Sequence, residues 1–136
     1  QHVVHRSGGR AVVAQRSSGR LAVAGLDEKY GEMRVHWACE GLSDDERAEV
    51  ESIVERAEAR SSLTCGICGA RGDLWEHRGW LSARCTEHGA GVPDDDPANS
   101  VRFSYVRRDG RLVRIARRYL YDRDAFVEIA HPSETP

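Results

Sequence analysis

Cys65 and Cys68 are separated by two residues and followed by Gly69; sixteen residues then separate Cys68 from Cys85, and His88 repeats the two-residue gap. A C-x2-C turn directs both sulfurs at one point, and the glycine after it lets the backbone fold back beneath an ion. Two such turns facing each other make a closed tetrahedral Cys3His site, the geometry of structural Zn2+. The stretch between them is long enough for a hairpin, with Leu74 and Trp75 running out, Arg78-Gly79 turning, and Trp80-Leu81 running back. Gly89, Gly91 and Pro93 argue against an amphipathic helix after His88. The spacing therefore predicts a zinc ribbon rather than a treble clef, in which a helix carries the second ligand pair. A redox C-x-x-C needs a thioredoxin-like strand and helix around it, and the flanks supply neither. His77 lies inside the hairpin, but its spacing matches no knuckle, and it is expected at the surface. Four protein ligands leave no position for water, so such a site contributes folding energy rather than Lewis-acid chemistry.

At 136 residues the chain has room for one modest core with appended strands, which a bound metal would help to stabilise. It contains no apolar run of membrane-spanning length and opens with no signal-peptide pattern. Three of its four cysteines fall in the knuckles, which argues against a disulfide scaffold and for a reducing cytoplasm. The net charge of −2 excludes a chain that is basic throughout, yet the charge is unevenly placed. Residues 1–25 hold Arg6, Arg10, Arg16 and Arg20 and no acid; residues 43–60 hold seven acids against three Arg; residues 101–118 hold seven Arg and one Asp. Such asymmetry makes an electrostatic face, unless the charges pair within the fold.

Short apolar runs at Val3-Val4, Ala11–Ala14 and Leu21–Ala24, divided by Ser7-Gly8-Gly9 and Ser17-Ser18-Gly19, read as short strands with tight turns. His2 and His5 are weighed as a second metal site, with an unstructured terminus as the plainer expectation. Leu26–Gly31 reads as a polar turn. Met33, Val35 and Trp37 then alternate with polar or small residues as in a half-buried strand, closed by Cys39, which is expected to be a small buried hydrophobe. Residues 43–60 carry the clearest helix signal. Ser43 and Glu46 form a capping box, Asp44, Asp45 and Glu46 sit at the positive end of the dipole, and Arg60 sits at the other end. Val50, Ile53, Val54 and Ala57 share one face, with the acids expected on the solvated side. Residues 92–100, with Asp94–Asp96, read as an acidic linker that lacks the ligand spacing of a calcium loop. Beyond it, Val101, Phe103 and Tyr105 alternate, Asp109-Gly110 signals a hairpin turn, and Val113 and Ile115 alternate again. A basic helix carrying Leu112, Ile115, Ala116, Tyr119 and Leu120 is the alternative. A last strand is expected over Ala125–Ala130. The fold expected is α+β: short antiparallel strands packed with one main helix at about 43–60 and a zinc-ribbon-like Cys3His module. Its division is 1–91 as the strand, helix and ribbon core, 92–100 as linker, and 101–136 as an Arg-rich hairpin extension.

From about Leu21 to Gly89 the chain resembles a group of small uncharacterised bacterial and phage proteins. Their pattern is a Lys-Glu-Lys-Phe-Gly turn, a Leu-Arg strand, an acidic helix, and a Cys-x-x-Cys-Gly … Gly-Trp … Cys-x-x-His module. Here it reads Asp27-Glu28-Lys29-Tyr30-Gly31, Met33-Arg34, the helix, Ser62, Thr64, Cys65, Cys68, Gly69, Gly79-Trp80, Cys85 and His88. Asp27 and Tyr30 depart from the pattern. The resemblance implies a metal site and this order of elements, and it implies no activity.

For function, the leading expectation is a non-enzymatic, zinc-stabilised binding module with a macromolecular partner. For nucleic acid, Arg102, Arg107, Arg108, Arg111, Arg114, Arg117 and Arg118 are the candidate phosphate contacts, with Phe103, Tyr105 and Tyr119 as stacking groups. The alternative is an accessory subunit of an assembly, phage-related, engaging protein. Enzyme signatures are missing. His36 stands at the wrong offset from Glu40 for a zinc deaminase, and H-E-x-x-H, G-x-S-x-G and a P-loop are absent. A metal-dependent nuclease with His77 as base lacks its second metal-binding histidine and its helix.

Overall fold

The computed structural model describes residues 19–130 in full and, before them, the backbone alone of His2–Ser7 (β1) and Arg10–Ala14 (β2). The histidines weighed as a second metal site, His2 and His5, have side chains outside the described residues. The chain divides into two compact units, Gln1–Asp94 and Asp95–Pro136.

In the first unit β1 pairs antiparallel with β2. Arg20–Lys29 (β3) pairs antiparallel with Glu32–Glu40 (β4), with a bulge between Val23 and Gly25. The stretch expected as a polar turn, Leu26–Gly31, is mostly strand: β3 continues through Lys29, and Tyr30 and Gly31 alone make the reversal. Both have positive φ, 54° and 79°, the two-residue turn whose twist matches that of the flanking strands. A Cβ on Gly31 would lie 2.6 Å from Leu74 Cδ2, so this tip packs closely against Leu74.

Asp44–Ser61 (α1) starts at the expected capping box. Ser43 Oγ accepts the Glu46 N–H at 3.1 Å, and Glu46 Oε1 accepts the Ser43 N–H at 2.9 Å. Val50, on its apolar face, and Ala59, on the opposite side near its end, are its buried residues, and burying Val50 contributes roughly 1.5 kcal/mol. The helix lies along β4, and Glu58 and Ser61 face that strand rather than solvent. Val35 N–H donates to Glu58 Oε2 and Met33 N–H to Ser61 Oγ, each at 2.8 Å. Cys39 is half-buried, with Arg47 Nη1 3.5 Å from its sulfur.

Asp73–His77 (β5) and Trp80–Arg84 (β6) form the hairpin between the knuckles. Arg78 and Gly79 turn it, at φ 53° and 83°. Val92–Pro93 (β7) adds to the other edge of β5, giving the order β6-β5-β7.

In the second unit Pro97–Ser100 forms a 3-10 turn capped by Asp96, whose Oδ1 accepts the Ala98 N–H at 2.9 Å. Val101–Arg108 (β8), Arg111–Leu120 (β9) and Ala125–Ile129 (β10) make an antiparallel sheet in the order β10-β9-β8. The hairpin turn is Asp109-Gly110, at φ 52° and 75°, so the 111–120 stretch is strand and not the basic helix. No helix among the described residues is long and apolar enough to cross a membrane.

Candidate metal centre and basic sheet

The first knuckle is placed by the end of α1. Three hydroxyls in succession take up the helix's last carbonyls. Ser61 Oγ donates to Glu58 O at 2.5 Å, Ser62 Oγ to Ala59 O at 2.7 Å, and Thr64 Oγ1 to Arg60 O at 2.8 Å. This satisfies groups that a helix end leaves orphaned and delivers the chain to Cys65. Gly69 N–H then returns to Cys65 O at 2.9 Å, and Cys65 N–H donates to Ala70 O at 2.7 Å, which closes the turn. Gly66 N–H donates to Ala83 O at 3.0 Å, tying the first knuckle to the strand that leads to the second. The second closes with His88 N–H on Cys85 O at 3.2 Å. The chain leaves over the ring of Trp75, where a Cβ on Gly89 would lie 2.4 Å from the indole. That indole is itself fixed, its Nε1–H donating to Arg84 O at 3.1 Å.

These turns bring Cys65, Cys68, Cys85 and His88 together with their ligand atoms all within 4.8 Å of one another, an arrangement that could hold a metal ion. Cys68 and Cys85 sulfurs are 3.8 Å apart, too far for a disulfide. Nδ1 is the imidazole nitrogen that faces the group, 3.1 Å from Cys85 Sγ and 3.6 Å from Cys65 Sγ. Cys65 and Cys85 are buried and Cys68 is exposed. Burial pushes the Cys65 thiol up, but the backbone N–H groups of Cys68, Cys85 and Ile67 prevail and bring it down to about 5. The backbone N–H of Ala70 favours the Cys68 thiolate, yet desolvation and the neighbouring Cys65 and Cys85 sulfurs raise that thiol. A thiolate is thus favoured at Cys65 at neutral pH, and an ion would neutralise the crowd of sulfurs. His77 lies outside the cluster, exposed at the far end of β5 and paired across the turn with Trp80.

In the second unit strand register sorts the seven arginines. Arg102, Arg108, Arg111 and Arg117 share one face with Phe126 and Glu128. There Arg117 and Arg102 lie over the Phe126 ring at 4.6 and 5.8 Å, and Arg108 pairs with both oxygens of Glu128 at 3.1 and 2.5 Å. Tyr119 also belongs to this face. It is buried, its ring edge-on to Phe126 and its hydroxyl on Asp124, so it offers no stacking surface. Arg107, Arg114 and Arg118 share the opposite face with Phe103, Tyr105 and Leu112. Arg114 stacks on the Phe103 ring at 3.8 Å.

Two exposed residues, one in the first knuckle and one in the β5–β6 hairpin, escape sequence reasoning. Ile67, inside the first knuckle, and Trp80, 77% exposed, are large apolar side chains left in solvent. The alternation in the hairpin marks strands, but nothing in it tells which face the rest of the unit covers. No protein-family model, curated protein or solved structure matches this chain.

Proposed function

We propose that the chain is a cytoplasmic, non-enzymatic binding module whose first unit is a zinc ribbon, with Cys65, Cys68, Cys85 and His88 holding a structural Zn2+. The donor spacing carries this reading. Around a tetrahedral zinc, thiolate sulfurs lie about 3.8 Å apart and a sulfur and an imidazole nitrogen about 3.6 Å apart. The separations of 3.8 Å for Cys68–Cys85 and 3.6 Å for Cys65–His88 match these, while Cys85–His88 at 3.1 Å is about half an ångström shorter. Three sulfurs and one nitrogen suit Zn2+ over harder cations, and four protein donors complete the coordination. The three-stranded β6-β5-β7 sheet between and after the knuckles supports a ribbon, as does the lack of a helix carrying the second pair. The test is metal content by mass spectrometry, with circular dichroism before and after chelation. One zinc per chain and loss of structure on its removal are expected; zinc that leaves an unchanged fold would refute a structural role.

For the partner, nucleic acid is the reading we adopt, because residues 101–118 hold seven Arg against one Asp while the whole chain is nearly neutral. Its signature is affinity that falls steeply with salt. Exposed Trp80 and Ile67 favour a second reading, an accessory subunit that docks protein through the metal hairpin. Among the tryptophans, Trp80 rather than the half-buried Trp37 or Trp75 is the residue such an interface would bury. Substituting Trp80 separates the two readings: it should leave salt-dependent nucleic-acid binding intact and abolish a protein contact.

A further inference from the structure

The two faces of the β10-β9-β8 sheet differ in chemistry. On one face Arg108 pairs with the Glu128 carboxylate, and Arg102 and Arg117 lie over the Phe126 ring. On the opposite face Arg114 lies over Phe103 and Arg107 donates to the Gly110 carbonyl at 3.5 Å, but there is no ion pair among the described residues. This opposite face carries Arg107, Arg114 and Arg118, and its β8, β9 and β10 positions include no carboxylate. On it, Tyr105 and Leu112 are each 64% exposed and Phe103 is 39% exposed. Tyr105 and Arg114 are cross-strand partners, and the Arg114 guanidinium lies over the Phe103 ring at 3.8 Å.

We infer that this face binds single-stranded nucleic acid, with Phe103 and Tyr105 stacking on unpaired bases and Arg107, Arg114 and Arg118 meeting the phosphates. The inference rests on the nucleic-acid reading above and narrows it. A duplex offers phosphates and base edges but no base faces, so exposed rings on a flat sheet gain nothing from it; an unpaired strand offers both phosphates and π-faces. Positions two apart on a strand are spaced by about 6.6 Å, roughly twice the stacking interval of a duplex strand, which suits splayed bases. A single strand supplies phosphates for the cations and planar bases for the rings at once.

The test is fluorescence anisotropy of the full chain with labelled dT12, U12 and a duplex of the same length, at increasing salt. The single strands should bind tighter than the duplex, with a log–log salt slope of about −2 for three phosphate contacts. The difference between dT12 and U12 tells DNA from RNA. Tyr105→Ala should weaken single-strand binding about tenfold, and Tyr105→Phe should retain it. Arg118→Ala should lower both affinity and salt slope. Arg111→Ala removes an equal charge from the opposite face, where Arg111 has no carboxylate partner among the described residues, and should change little. Duplex binding as tight as single-strand binding, an unaffected Tyr105→Ala, or equal losses from Arg111→Ala and Arg118→Ala would overturn the inference and leave general nucleic-acid binding standing. No binding to any of the three at low salt would overturn both.

Discussion

The backbone N–H of Val35 donates to the carboxylate of Glu58 at 2.8 Å, across 23 residues of sequence. Among the described residues β4 pairs only with β3, so its outer edge would otherwise present bare N–H groups. Glu58 and Ser61 cover that edge. Such coverage keeps an open edge from pairing with another chain. Glu58→Ala should lower stability by about 2 kcal/mol, the cost of stranding a part-buried donor from a charged acceptor. Chemical denaturation should report this as a lower midpoint at unchanged slope. Glu58→Gln keeps an oxygen in place and should recover much of the loss.

Removing a knuckle sulfur should be far more damaging. Cys68→Ser takes away one of four donors, and the expected result is a chain that neither retains metal nor stays folded, a deficit of several kcal/mol. Cys39→Ser is the matched control, because its half-buried sulfur is no part of the cluster. Metal stoichiometry and circular dichroism on both variants check this, and a folded, metal-free Cys68→Ser protein would count against the closed site.

Gly31 and Gly110 have nearly the same positive φ, 79° and 75°, but different surroundings. A methyl at Gly110 would meet nothing within 4 Å, whereas at Gly31 it would strike Leu74 at 2.6 Å. Gly110→Ala should therefore cost only the left-handed strain, about 1 kcal/mol. Gly31→Ala should cost about 3 kcal/mol, since steric displacement of the metal hairpin adds to the strain. Urea midpoints for the two variants distinguish a conformational cost from a packing cost.

The Arg108–Glu128 pair gives the second unit a pH dependence of known sign. Hydrogen bonding to Arg108 holds the Glu128 carboxyl below its ordinary value of 4.5. The folded state therefore binds that proton less readily than the unfolded state. The pair's contribution is present above the ordinary value and is lost as the pH falls through the lowered one. Both side chains are about half exposed, so the effect is small and screened by salt. Glu128→Gln should flatten the acid limb of the stability curve below pH 4.5 and leave the neutral region little changed.

The features legible in the sequence are those whose cause is local. The knuckles follow from spacing, α1 from its capping box, and the β5–β6 and β8–β9 hairpins from Arg78-Gly79 and Asp109-Gly110 at their reversals. Features that depend on which surfaces meet were out of reach. Periodicity places Glu58 at the border of the apolar face of α1, four residues after Val54, and only the position of β4 beside the helix turns it into an acceptor for Val35. The hydroxyls of Ser61, Ser62 and Thr64 read as a helix stop, but their bonds to three successive carbonyls need the coordinates of that final turn. Seven arginines in one segment look alike until register puts Arg108 beside Glu128 and Arg118 on the opposite face. A side-chain period of two identifies two faces and says nothing of which one is occupied.

Of the three sulfurs, Cys65 and Cys85 lie inside and Cys68 is open to solvent. If the four groups hold an ion, an intruding thiol or chelator would meet Cys68 and His88, the less buried donors, before Cys65 and Cys85. Cys65 is braced by the Gly66–Ala83 bond and by N–H groups aimed at its sulfur, and would let go last. The lifetime of such an ion, as distinct from its affinity, would then be set on the solvent-facing side of the cluster.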